Sequence, residues 1–353
     1  MRAFVHDQPS VRVVFGVGSI DCLGDEVRRL RAERALVLST RGQRHAAEDA
    51  ARRLGSAAAG VHAEAVMHVP IETAQAARDA AVRLGADSLI AIGGGSTIGL
   101  AKAVALETGL PIVAIPTTYS GSEMTSIYGV TDGGVKKTGR DRRVLPKTVV
   151  YDPALTVTVP PRISATSGMN AMAHCVEALY APDGNPVTSV LAAEGIGVLA
   201  RALPIVVEDP ASLDARSDAL YGAWLAGAAL GATSMGVHHK LCHTLGGSFN
   251  LPHAEVHTVV LPHATAFNRD LAPEAMRRIA TALDARDAAQ GIYDLAVRLG
   301  APTTLSEIGM RHEDLDRAAR LATERPYDNP RPIDYEGVRQ LLEDAYRGTR
   351  PFP

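Results

Sequence analysis

Aromatic side chains are scarce in this sequence. Phe, Tyr and Trp together make up 4% of 353 residues, with a single tryptophan. Core volume must therefore come from aliphatic side chains and alanine. Cysteine is scarcer still: Cys22, Cys175 and Cys242 are too few and too scattered for a disulfide framework, so a reducing compartment, the cytoplasm, is expected. Neither sign of charge is in large excess, and a net charge of −3 disfavours nucleic acid or an anionic membrane as the main partner. The first ten residues carry Arg2, His6 and Asp7 and lack the apolar stretch of a targeting signal, so none is expected there. One charge-free stretch, Ala219 to Val237, approaches the ~20 residues of a membrane span. About half of it is glycine and alanine, which suits a helix buried among other helices better than one in lipid.

What is there is ample for two domains. A 46% hydrophobic content excludes a disordered chain, and the length exceeds that of one ordinary domain. Short β-branched or apolar runs alternate with helical patterns in the first part. Strands are expected at Val11–Phe15, Ala35–Ser39, Ala63–Val69, Ser88–Ile92, Pro111–Ile115 and Thr148–Tyr151. Helices are expected between them at Ala46–Leu54, Ala74–Leu84 and Thr97–Glu107, with a polar, basic loop at Gly133–Arg143. This alternation predicts a parallel sheet with helices on both faces. After Asp152-Pro153 helical spacing takes over, at Ala165–Tyr180, Pro186–Asp209, Leu213–Gly231, His238–Gly246, Pro273–Asp284, Asp287–Leu299, Glu313–Ala322 and Tyr335–Tyr346. The expected organisation is an α/β domain over 1–153 and an all-helical domain over 154–353.

Gly93-Gly94-Gly95-Ser96 follows a strand and opens a helix. Glycine permits both a tight turn and close backbone approach, and a helix N-terminus suits a pyrophosphate. Ser96 can cap the helix or donate to a phosphate oxygen. A plain capped turn reads the same residues, and neither GxGxxG nor a P-loop is present. Thr117, Thr118, Tyr119, Ser120 and Ser122 end another buried strand, where ligands of open α/β sheets bind. Ser39, Thr40 and Arg41 end the second strand without the carboxylate that would repel a 2′-phosphate, so NADPH or both nicotinamide cofactors are expected there.

Five of the 12 histidines fall between Val237 and His257. His239 and His243 share a helix face, Asn170 and His174 make another i,i+4 pair, and His253 follows Pro252 in an expected loop. Such convergence beside a nucleotide site suggests a metal or catalytic centre. His238 is expected to point elsewhere, and His257 is left open.

Over essentially its whole length the sequence resembles the iron-containing alcohol dehydrogenase superfamily. The resemblance rests on Gly93–Ser96 with Ala101-Lys102, Pro116–Thr118 with Gly121-Ser122-Glu123, and Asp152-Pro153. Gly168–His174, His239–His243 and Pro252-His253 complete it. It implies a Rossmann-like dinucleotide-binding domain with a parallel sheet, followed by an all-α domain, in the dehydroquinate synthase-like architecture. Gly99, the Tyr119–Thr125 run, the Lys137–Asp141 segment and Asn170 resemble the branch that reduces maleylacetate.

In metal-dependent members the position of Asn170 holds an aspartate ligand, and positions 174, 239 and 253 supply imidazoles. A neutral amide at 170 and glycine in place of the usual aspartate at 99 remove negative charge, so Fe or Zn affinity should drop and no resident metal is expected. If an ion does bind, His174, His239 and His253 with Asn170 would hold it. The same change favours a small dianionic substrate. The resemblance thus implies NADH- or NADPH-dependent reduction of the carbon–carbon double bond of a dicarboxylate enone, maleylacetate, to 3-oxoadipate in bacterial breakdown of aromatics. His243 and His253 are the expected catalytic groups, with His174 and His239 lining the pocket and the nicotinamide facing the helical domain. Tyr119, Ser120, Asn170, Lys137 and Arg140 are the expected substrate partners. The alternatives are a metal-dependent alcohol or glycerol dehydrogenase and, from another class, a non-catalytic nucleotide-binding protein. A homodimer through an exposed first strand is expected by family precedent.

Overall fold

The computed structural model describes residues 3–7, 10–133 and 135–352. They form two compact units: one runs to Val159, and the other runs from Pro160 and takes in the described residues 3–7.

The first unit is built on a six-stranded parallel sheet. Its strands are β1 (Arg12–Phe15), β2 (Ala35–Leu38), β3 (Ala58–His62), β4 (Ser88–Gly93), β5 (Ile112–Pro116) and, after a hairpin, β8 (Thr148–Tyr151). The spatial order is β1-β8-β5-β4-β2-β3. Every residue of β2, β4, β5 and β8 is buried, which is why these strands read as unbroken apolar runs rather than alternations. The edge strands β1 and β3 are partly exposed. Helices α1 (Leu23–Arg29), α2 (Arg44–Leu54), α3 (Ile71–Arg83) and α4 (Gly95–Thr108) are the crossovers. α2 lays Ala47 and Ala50 on the sheet, and α3 buries Ala74, Ala77 and Ala80.

Two expectations for this unit fail. The strand expected at Ala63–Val69 is a loop, and the slot beside β2 is filled by β3, whose AAGVH sequence hides its strand character. His68 and Val69 take φ of 64° and 49° in that loop. A β-branched residue there is a true outlier. Val69 is nevertheless held: its carbonyl accepts from Thr131 N at 3.0 Å, and its Cγ2 would lie 2.9 Å from a Cβ placed on Gly99 of α4. The expected basic loop at Gly133–Arg143 is mostly strand. β6 (Ile127–Asp132) and β7 (Val135–Arg140) pair antiparallel as a hairpin. Its lysines and glycines carry little strand propensity, and pairing supplies what propensity lacks.

The second unit is helical: α5 (Pro161–Tyr180), α6 (Pro186–Glu208), α7 (Leu213–Gly231), α8 (Val237–Phe249), α9 (His253–Asn268), α10 (Pro273–Ala282), α11 (Ala288–Arg298), α12 (Leu315–Thr323) and α13 (Tyr335–Arg347). Their starts follow capping chemistry. Asn185 and Thr188 form a capping box on α6, and Asp287 and Asp334 accept from Gln290 N and Gly337 N at 2.9 and 2.7 Å. The segment after Pro252 corrects another expectation. It is no loop, since His253 is the first residue of α9, and Pro262 with a run of valines had masked that helix.

The charge-free stretch from Ala219 is a buried helix that stops at Gly231, before the stretch ends. Among the described residues it is α6 that is long and apolar enough to cross a membrane, and 56% of its most apolar window is buried.

Candidate functional site

Chemistry-bearing residues of the first unit gather at the carboxyl ends of β2, β4 and β5. Gly93 has φ +153°, and a Cβ on it would come 2.3 Å from Thr97 Oγ1 and 2.9 Å from Gln43 Oε1. A Cβ on Gly94 would meet Thr118 Oγ1 at 2.9 Å. Glycine is thus required at the first by backbone and space, and at the second by Thr118. Gly94 is the N-cap of α4, and no side chain caps that helix. Ser96 therefore does not cap, and the α4 N-terminus keeps the N–H groups that suit an anion.

Neighbouring strand ends complete this edge. Thr117 N donates to Gly93 O at 3.1 Å, and Gln43 Nε2 donates to Thr117 Oγ1 at 2.8 Å. Ser39 is buried, and its hydroxyl donates to Thr40 O. Arg41 is engaged by Glu64 at 2.6 Å, with Arg44 3.6 Å from the same carboxylate. Thr97 Oγ1 is buried without a hydrogen-bond partner. A cradle that excludes side chains at a helix N-terminus, with hydroxyls around it, fits a dinucleotide.

The loop after β5 is held from beneath. Lys102 of α4 is buried and donates from Nζ to Ser122 O, Thr125 O, Thr125 Oγ1 and Ile127 O at 2.6, 2.8, 3.0 and 2.8 Å. Burial pulls its ammonium down to about 7, opposed by the nearby Glu123 charge. Burial pushes the Glu123 carboxyl up, while Tyr151 OH donates to it at 2.8 Å.

Of the expected substrate partners, Tyr119 is fully buried, and the Ser120 hydroxyl lies 3.5 Å from Glu123. Lys137 is mostly exposed, pairs with Asp132 at 2.8 Å and sits with Arg140 on the hairpin outside the main sheet.

In the second unit three helices converge. α5 carries Asn170, His174 and Glu177, α8 carries His238, His239, Cys242 and His243, and α9 carries His253 and His257. The His174 and His239 rings stack with centroids 5.2 Å apart. His243 lies 6.1 Å from His239, and His253 lies 4.5 Å from His257. His257 also packs edge-on against His174, His238 and His239 at 6.2, 4.8 and 5.1 Å. Two readings change here. His257 is central, and His238 does not point away but lies 2.9 Å from His257, Nε2 to Nδ1.

Burial pushes His174, His238 and His257 well below the usual histidine range, and neighbouring imidazoles add to it. His243 and His253 keep partial exposure, unlike His174 and His239.

Glu177 escaped the sequence analysis. It is buried and accepts from Gly236 N at 3.0 Å, His238 N at 2.9 Å and His239 Nδ1 at 2.6 Å. It thereby caps α8, where a Cβ on Gly236 would meet Asn329 Oδ1 at 2.8 Å. The available signal was an acid three residues after His174 on the same helix face.

Asn170 Oδ1, His174 Nδ1 and His239 Nε2 are buried without hydrogen-bond partners. With His253 they offer three imidazoles and an amide, but no anion. Among the described residues the compact donor group is instead His238, Cys242 and His257, whose ligating atoms lie within 4.8 Å of one another. Its two imidazoles are engaged with each other, and the other ring nitrogens, His238 Nδ1 and His257 Nε2, lack the hydrogen-bonded partners that orient metal ligands. Neither set fits a resident divalent ion well.

Residues 9–153 match the iron-containing alcohol dehydrogenase family, and residues 164–346 match the C-terminal region of the Fe-containing alcohol dehydrogenase family. The chain belongs to the iron-containing alcohol dehydrogenase family. It is 58% identical over 351 residues to a maleylacetate reductase from Burkholderia cepacia, covering 99% of this chain and 100% of that one. A maleylacetate reductase from Pseudomonas sp. strain P51 is 53% identical, with 99% of each chain covered. The crystal structure of maleylacetate reductase from Agrobacterium tumefaciens is 50% identical, with a TM-score of 0.95 over 99% of this chain and 100% of that one.

Proposed function

We propose that the chain reduces the carbon–carbon double bond of maleylacetate, giving 3-oxoadipate, with NADH or NADPH as reductant. The 58% identity with a maleylacetate reductase across 99% of the chain carries this reading. The residues supply its chemistry. The Gly93–Gly95 cradle and the uncapped start of α4 hold the pyrophosphate, with Thr117, Thr118 and Ser122 beside it, and Ser39 and Thr40 take the adenosine ribose. A reduced nicotinamide, when bound, supplies a hydride to the alkene.

Negative charge then develops on the conjugated ketone oxygen and must be met by hydrogen-bond donors. An imidazole N–H can meet that charge, and His243 and His253, the more accessible rings, are assigned to that oxygen and, as an imidazolium that returns to neutral imidazole, to proton delivery at carbon. His174 and His239 line the pocket, and Asn170 contributes its amide donors to a substrate carboxylate. The absence of an acid at position 170 suits a dianion. No step uses a metal.

The reading includes a cytoplasmic homodimer. No disulfide joins the three cysteines, and β1 is an edge strand with pairing capacity on one side.

The test is oxidation of NADH and of NADPH with maleylacetate, with and without a chelator. Turnover that survives chelation and metal analysis is expected. Turnover on simple alcohols that needs one Fe or Zn per chain would overturn it.

A further inference from the structure

His239 can present either ring nitrogen, and the two choices do different chemistry. In the structure only one choice is left. Its Nδ1 lies 2.6 Å from Glu177 Oε2, and that carboxylate already accepts two backbone N–H bonds at the start of α8. An acceptor bound on three sides by donors fixes its imidazole partner as an Nδ1–H donor. The opposite nitrogen, Nε2, is buried without a partner among the other histidines. Its ring is stacked on His174, edge-on to His257 and 6.1 Å from His243.

The arrangement has a further consequence for α8. His239 is the third residue of that helix, so the group that caps the helix also sets the ring. Capping and tautomer selection cannot be separated in space.

Resting on the reading of this cluster as the reducing site, we infer that Glu177 is a positioning residue that confines the chemistry of His239 to Nε2. In its neutral form His239 is then an acceptor toward the cluster. It orders a neighbouring N–H or a water and does not itself donate to the substrate's ketone oxygen. That duty falls to rings whose donor nitrogen is not claimed by Glu177.

The tautomer is read directly by long-range 1H–15N correlation spectra of the full-length, histidine-labelled protein, with the His239 signals assigned by their loss in His239→Gln. A pyrrole-type Nδ1 and a pyridine-type Nε2 are expected. A neutral Nε2–H tautomer in the unaltered protein overturns the inference, whatever any variant does. Glu177→Ala should lower kcat about 10–100-fold while the KM for NADH stays within about 2-fold. Asn329→Ala removes the other α8 cap, the 3.2 Å bond from Val237 N, and serves as the structural control. It should lower stability but keep both tautomer and kcat. An equal loss of kcat in Asn329→Ala would show that Glu177 acts through helix stability alone and overturn the inference. An Nδ1–H tautomer in a protein without maleylacetate turnover would support the assignment and reject only the substrate reading.

Discussion

His243 and His253 differ from the other cluster imidazoles in keeping partial exposure, and this separates groups that can meet a substrate from groups that support them. Replacing either by alanine should lower kcat for maleylacetate about 10²-fold or more, the usual size of a positioned acid–base contribution. Steady-state assays at saturating NADH check this, and unchanged turnover in both variants would remove them from the site. Gly93 makes a second residue-level prediction. Alanine there takes on an unfavourable φ of +153° and a Cβ 2.3 Å from Thr97 Oγ1. Strain of about 1–3 kcal/mol, relieved only by moving the cradle, should weaken NADH binding about 10-fold or more by fluorescence titration.

At the scale of elements, close helix packing replaces the aromatic volume the chain lacks. A Cβ on Gly168 of α5 would lie 2.3, 2.6 and 3.0 Å from three side-chain atoms of Leu203, which is fully buried in α6. Gly168→Ala gains helix propensity but overpacks this contact, so a net loss of about 1–3 kcal/mol is expected in denaturant unfolding.

Elements were legible where periodicity was undisturbed. The buried β2, β4, β5 and β8 announced themselves as apolar runs, and α7 as an unbroken helical span. Reading failed where pairing or packing overrode composition: β3 behind its alanines and glycine, the β6–β7 hairpin behind its lysines, and α9 behind Pro262. The glycine cradle and four of the histidines could be named from spacing. Glu177 could not, because its partners are N–H groups 59 to 62 residues away.

For the whole molecule, buried imidazoles predict acid sensitivity. Burial brings His263 of α9 down to about 4, against about 6.5 in an unfolded chain. Between those values the unfolded state binds the extra proton. Stability is therefore full above about pH 6.5 and falls as pH drops toward 4, by about 3 kcal/mol from this one residue. His174, His238 and His257 shift in the same direction. Urea unfolding at pH 7.5 and pH 5 should show the loss, and His263→Gln should flatten the slope. A pH-independent midpoint would show that these rings are not buried in the neutral form.

The contact between Val69 and Gly99 constrains how the sequence can change. An aspartate at 99 would place its Cβ 2.9 Å from Val69 Cγ2, against a residue already held at φ 49°. Introducing that acid alone should therefore be harmful. The order of substitutions matters: position 69 must shrink before position 99 can grow. Two single-step histories that look equivalent on paper are not equally open, and the paired variant Val69→Ala/Gly99→Asp should fold better than Gly99→Asp by thermal melting.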